Sequence, residues 1–272
     1  MWKLLATAYP EQFRQVSSYR CVKIEGPRLS MGEYLGLVTS DSVSWRVVLT
    51  LAASHARVPE LVEISSIRNL AALEIVTPSH AQPLLDEAAL PLAALSDRIV
   101  RTWSELATAS GAFAHLRVLV LYQQPNLSRL ALQYLRAFPS LQMIMVLDCP
   151  GIVSVDSEAS GWEVAFGLDK PHTLYECYRM SLKDEARGSP ALAGVPVLDF
   201  QVGQQASRTL SNMSQKPWTV YLRRTETEKS ERGEPAPKRP RVASTPRPPG
   251  AQRAVMKTHK GKDLGGVLQD FL

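Results

Sequence analysis

Apolar residues along this chain follow two spacings in turn, one suited to strands and one to helices. In "HLRVLVLYQQP", Leu116, Leu119 and Leu121 stand in an L-x-x-L-x-L frame. Leu127, Leu130, Leu132, Leu135 and Phe138 then recur at helical spacing until Pro139 stops them. The same frame returns at Leu70, Leu73 and Ile75, at Leu141, Ile144 and Val146, and at Val195, Leu198 and Phe200. Tyr19, Val22 and Ile24 fit it more loosely. Helical patterns lie between the frames. Ile99, Val100, Trp103 and Leu106 share one helix face, and "VPELVEISSIRNL" puts Pro59 in a first turn.

A strand–helix unit of this kind has an apolar face that it cannot bury alone. Stacking units in register buries that face continuously. Leu116 and Leu141 are 25 residues apart, inside the roughly 20–29-residue period of leucine-rich repeats. Other gaps are near 50 residues, room for a degenerate unit or a longer helix. The expected fold class is α/β, a short leucine-rich-repeat-like solenoid over residues 1–222 followed by a disordered tail. The alternative is a single α/β domain that matches a permissive pattern.

Side chains alternate along a strand, so the residues between frame positions face the other side of the sheet. These are Lys23 and Glu25, Glu74 and Val76, Val120 and Tyr122, and Met145 and Leu147. The strip changes from charged to apolar along the solenoid, and its apolar part reads as a protein-binding patch. Val120, Tyr122, Met145 and Leu147 are its expected contact residues. The competing expectation is that residues 152–190 fold back and cover the strip.

From Lys216 the composition changes. "KPWTVYLRR" reads as a closing strand with Trp218, Val220 and Leu222 on one face. Residues 223–262 are charged, Pro-rich and poor in large apolar residues, the composition of a disordered segment. They hold 12 Lys/Arg against 4 Asp/Glu, which exceeds the chain's net charge of +5, so the remainder is net acidic. Within them, Lys238, Arg239 and Arg241 in "PKRPRV" form a compact basic cluster of the kind read by an importin-type receptor. Arg223 and Arg224 upstream leave room for a bipartite signal. The same charges also permit weak, salt-sensitive, nonspecific nucleic-acid binding by counterion release. Residues 263–272 recover helical periodicity at Leu264, Val267, Leu268, Phe271 and Leu272, despite Gly265 and Gly266. This is expected to be a docking segment, in cis or in trans, with Leu264, Leu268 and Phe271 as its anchors.

Candidate chemistry is sparse. Three cysteines, Cys21, Cys149 and Cys177, form no C-x-x-C pair, and the five histidines are scattered. No G-x-S-x-G, P-loop, G-x-G-x-x-G or H-E-x-x-H motif appears. Cys177 in "YECYRM" has Glu176 and Arg179 beside it and reads as a packed helical thiol. No apolar run reaches membrane-spanning length, and that of "MWKLLATAYPEQF" is too short for a signal-peptide core. No enzyme activity, metal, cofactor or membrane association is expected.

The segments "LAALEIVTPS", "DRIVRTWSELATASGAFAHLRVLVL" and "SRLALQYLRAFPSLQMIMVLDCPG" resemble the repeat region of fungal F-box/leucine-rich-repeat-like proteins. The resemblance spans roughly residues 13–222 and rests on element order and apolar frame. It places Cys149 in the Asn/Cys slot of a repeat, packed inside against the backbone of the turn. The F-box of that family has no counterpart in "MWKLLATAYPEQF". The function expected is a non-catalytic nuclear scaffold for protein–protein interaction, possible also in the cytoplasm. One alternative is a substrate receptor of a cullin-type ubiquitin ligase with a degenerate or missing F-box. The other is a nucleic-acid-associated protein acting through its basic tail.

Overall fold

The computed structural model describes residues 2–9, 11–13, 19–41, 43–77, 94–152, 160–165, 173–185, 195–203 and 218–225. The chain divides into Met1–Arg232 and Gly233–Leu272, and every described residue belongs to the first unit. Lys238, Arg239, Arg241, Leu264, Leu268 and Phe271 lie outside the described residues.

The strands are β1 (Tyr19–Ile24), β2 (Arg46–Ala52), β3 (Leu70–Val76), β4 (Val118–Tyr122), β5 (Met143–Leu147), β6 (Trp162–Val164), β7 (Val197–Val202) and β8 (Thr219–Arg224). The helices are α1 (Trp2–Ala8), α2 (Met31–Val38), α3 (Val58–Glu63), α4 (Asp97–Ser110), α5 (Leu130–Leu135) and α6 (Leu174–Glu185). All eight strands join one open sheet in the order β1-β7-β2-β3-β4-β5-β8-β6. Pairing is parallel from β1 through β5, and β8 runs antiparallel to both β5 and β6.

The apolar frames become neighbouring strands. Leu73 pairs with Leu119 and Leu119 with Ile144, while Ile75 pairs with Leu121 and Leu121 with Val146. These side chains enter one core with Leu35, Leu61, Trp103 and Leu132, which come from α2, α3, α4 and α5. Each crossover helix thus buries its apolar stripe on the same face of the sheet. Burial is worth about 1.5–3 kcal/mol per large side chain, and it selects this register because a one-residue slip would turn the frames outward.

Local signals set the helix limits. Ser30 and Glu33 form a capping box at the start of α2. α4 ends at Gly111, whose φ of 70° suits a residue without a Cβ. Pro59 sits in the first turn of α3, as its position in the sequence predicts. The expected helix over Leu127–Phe138 is shorter: α5 covers Leu130–Leu135, then i→i−3 hydrogen bonds tighten the chain to Phe138. Arg224 closes this end, donating to the carbonyls of Phe138 and Leu141 at 2.8 and 3.3 Å. Its guanidinium also lies 5.8 Å from the centroid of the Trp162 ring.

Three features depart from a simple solenoid. β7 enters between β1 and β2, although it follows them by more than a hundred residues in sequence. β8 closes the other side with antiparallel pairing. Finally, α6 lies on the face opposite the crossover helices, packed across β2, β3 and β4. The architecture is therefore a mixed α/β open sheet with helices on both faces.

Candidate interaction surface

The second face is built by the residues that alternate with the frames. One row across it reads Cys21, Asp199, Val48, Ala72, Val118 and Met143. The next reads Lys23, Gln201, Thr50, Glu74, Val120, Met145 and Tyr221. Beyond it, Tyr122 pairs with Leu147 and Leu147 with Thr219.

α6 covers the middle of this face. Thr173 and Glu176 start the helix with reciprocal hydrogen bonds of 2.9 and 3.2 Å, the geometry of a capping box. Leu174, Cys177 and Tyr178 then pack onto Val48, Ala72, Val118, Val120 and Met145. Cys177 Sγ lies 3.4 Å from Met145 Sδ. Val120, Met145 and Leu147, expected as an exposed strip, are consequently buried, and of the four expected contacts only Tyr122 keeps a half-exposed side chain. The physical reason is that a strip of this apolarity gains more from α6 than from water. The competing expectation, in which 152–190 fold back, matches the position of α6. Glu74 is likewise buried rather than displayed, accepting a hydrogen bond from Thr50 Oγ1 at 3.2 Å. Lys23 on β1 and Glu25 just after it remain exposed.

Tyrosines frame the covered zone. Tyr122, Tyr175 and Tyr221 are half-buried and pack against the residues beneath α6. Burial raises the pKa of both Tyr122 and Tyr221, so each presents a neutral hydroxyl. On the opposite flank, Tyr19 packs on Tyr175 with ring centroids 4.0 Å apart. Tyr19 donates to Asp199 Oδ2 at 2.9 Å, while Gln201 Nε2 donates to Asp199 Oδ1 at 3.1 Å. Tyr19, Tyr175 and Tyr221 are absent from the contact residues expected from the sequence, where Tyr19 appears only as a loose frame position. Tyr221 reaches this face only because β8 pairs with β5, a neighbour that periodicity does not reveal.

The thiols are poor nucleophiles. Burial pushes both Cys149 and Cys177 up to about 11, and burial together with Asp199 raises Cys21. Cys149 lies 3.4 Å from the Leu147 carbonyl and 3.6 Å from that of Leu121, and accepts the Gln124 N–H at 3.4 Å. Gln124 occupies the corresponding turn after β4 and donates from Nε2 to the carbonyls of Ile75 and Tyr122 at 3.1 and 2.8 Å. Both residues stitch one turn to the next from inside. Among the described residues, no three His, Cys, Asp or Glu side chains gather as metal ligands. No described helix is long and apolar enough to cross a membrane. In comparisons with known proteins, the chain matches no family model and no curated sequence.

Proposed function

We propose that this chain is a non-catalytic protein–protein interaction scaffold. In this reading, β2 to β5 with their crossover helices form a short repeat array of the leucine-rich type. Its partner meets the tyrosine margin of the second face. The observation that carries it is the placement of Tyr122 and Tyr221 on adjacent rows beside β5, half-buried and anchored against the apolar layer under α6. Tyrosines held this way offer large contact area with few torsions left to freeze, the character of interface anchors. The basic cluster at Lys238, Arg239 and Arg241 directs the scaffold to the nucleus through an importin-type receptor. Leu264, Leu268 and Phe271 supply a second, weaker docking segment. The buried thiols support a non-catalytic reading, because they are protonated near neutral pH.

The test is a Tyr122→Asp, Tyr221→Asp double variant in affinity purification from the native host, beside the wild type. Loss of a wild-type partner with unchanged thermal unfolding is the expected result. Full recovery of every partner by a folded double variant would remove this margin as the interface.

A further inference from the structure

β1 is a terminal strand of the sheet, and its outer edge keeps hydrogen-bonding groups in reserve. It pairs with β7 from Tyr19–Val197 to Ile24–Val202 and with no other described strand. Gly203, the residue after Val202, donates its N–H to the Ile24 carbonyl at 2.8 Å. In a parallel ladder a residue directs both its N–H and its C=O to one neighbour, and the next residue directs both the other way. Ile24, Val22 and Arg20 therefore serve β7. Tyr19, Cys21 and Lys23 turn their N–H and C=O groups outward, where no element of the described structure meets them.

The side chains agree that this edge is open. Tyr19 is 40% exposed, Arg20 and Lys23 are exposed, and Cys21, Val22 and Ile24 are half-buried. The strand is nevertheless held in extended form before anything joins it. Val22 and Ile24 pack against the main core, and the Tyr19 hydroxyl donates to Asp199 Oδ2 at 2.9 Å. A fixed, open edge of this kind is a template for one more strand.

Charge selects what can join. Alternation puts Arg20 on the side of Val22 and Ile24, and Lys23 on the side of Tyr19 and Cys21. Among the described residues, neither cation forms an ion pair. Glu25 lies past the end of the strand, and Asp199 is engaged by Tyr19 and Gln201. A second copy of β1 would bring the same two cations to the seam, whereas an acidic strand would neutralise them.

We propose that β1 is a docking edge for an extended acidic segment of a partner protein. The segment adds as a further strand, bonds to the outward groups of Tyr19, Cys21 and Lys23, and sets carboxylates opposite Arg20 and Lys23. Those two residues are three apart, so the segment carries Asp or Glu at i and i+3, projecting to opposite faces. The spacing is the same for parallel and antiparallel addition. This edge is separate from the tyrosine margin and uses neither Tyr122 nor Tyr221.

The test uses the full chain and two peptides: acetyl-Val-Glu-Val-Thr-Glu-Val-amide, and the same peptide with Lys in place of both Glu. Amide hydrogen exchange is followed residue by residue by NMR at low ionic strength. The glutamate peptide is expected to slow exchange saturably at Tyr19, Cys21 and Lys23. Arg20, Val22 and Ile24, already bonded to β7, keep their rates. The lysine peptide binds at least about tenfold more weakly. An Arg20→Glu, Lys23→Glu double variant, changed only at exposed positions, reverses this preference. No protection of the three outward amides by the glutamate peptide overturns the proposal, as does equal protection by the two peptides. Protection of those amides in the dilute chain without peptide would mean that the chain itself occupies the edge. Protection that grows with chain concentration would assign the edge to a second copy. Either result also overturns the proposal.

Discussion

The rings of Phe113 and Phe138 stack with centroids 4.6 Å apart and 9° between their planes. They are 25 residues apart, the same offset that relates Val118 to Met143 in the pairing of β4 with β5. The equivalence continues past the strands. Gln123 and Asp148, again 25 apart, both adopt positive φ, at 52° and 50°. Gln124 and Cys149 then turn inward to hold the neighbouring backbone. Two segments with a positive-φ turn residue, an inward hydrogen-bonding side chain and a phenylalanine at matching positions therefore stand side by side. Trp103 extends the stack, meeting Phe113 edge-on at 5.4 Å.

This stack predicts a coupled stability effect. Phe113 and Phe138 are fully buried, so replacing either by Ala removes burial and leaves a cavity, at a cost of about 3–5 kcal/mol. The double variant should cost less than the sum, by about 0.5–1.5 kcal/mol, because the ring–ring term is lost only once. Urea unfolding of the four proteins measures this. Strict additivity would show that the rings contribute through burial alone.

Much of the sheet is legible in the sequence because its frames are separated by crossover helices. Leu73 and Ile75, Leu119 and Leu121, and Ile144 and Val146 all lie in strands at the positions their spacing predicts. β2 is not legible in the same way. "RVVLTLA" is buried along its whole length, in the middle of a sheet covered on both faces, so the alternation that marks a half-buried strand is missing. It occupies one of the gaps near 50 residues. The place of β7 is hidden for another reason: pairing such as Val22 with Phe200 joins residues far apart in sequence, and local periodicity carries no record of it. Val120 and Met145 illustrate the limit for sites. An apolar alternate row reads identically whether it faces water, a partner or the chain's own helix.

The burial of Met145 reverses what a charged substitution there should do. On an open strip, Met145→Lys would block a partner and spare the fold. Beneath α6, beside Cys177, it encloses an ammonium in a mostly apolar layer, and a loss of about 3 kcal/mol or more is expected. Tyr122→Lys, with its ring at the margin, should cost far less. Thermal unfolding of the two variants separates the cases. A Met145→Lys chain as stable as Tyr122→Lys would mean that α6 leaves this face readily.

Thiol chemistry gives an independent probe of the same packing. At pH 8 a thiol whose pKa is about 11, as for Cys149 and Cys177, holds about one-thousandth of its population as thiolate. Both side chains are also shielded from reagents. Iodoacetamide at pH 8, followed by mass spectrometry, should modify Cys21 first and Cys149 and Cys177 only after denaturation. Rapid native labelling of Cys177 would require α6 to detach from β2, β3 and β4.

In the proposed reading the import signal is monopartite, for a reason that lies in the folded part. Lys238, Arg239 and Arg241 are three closely spaced cations that could be read by themselves. A bipartite signal would recruit Arg223 and Arg224 as its upstream half. Arg224 is already committed: it donates to the carbonyls of Phe138 and Leu141 and lies over Trp162, closing the turn after α5. Releasing it to a receptor would forfeit charge-assisted hydrogen bonds worth about 1.5–3 kcal/mol. Changing Lys238, Arg239 and Arg241 together to Ala should therefore move a large fluorescent fusion from nucleus to cytoplasm. Arg224→Ala should lower Tm yet leave the fusion nuclear at temperatures where it remains folded. A nuclear triple variant would remove the basic cluster as the signal. A cytoplasmic, folded Arg224→Ala fusion would show instead that the receptor draws on the end of β8.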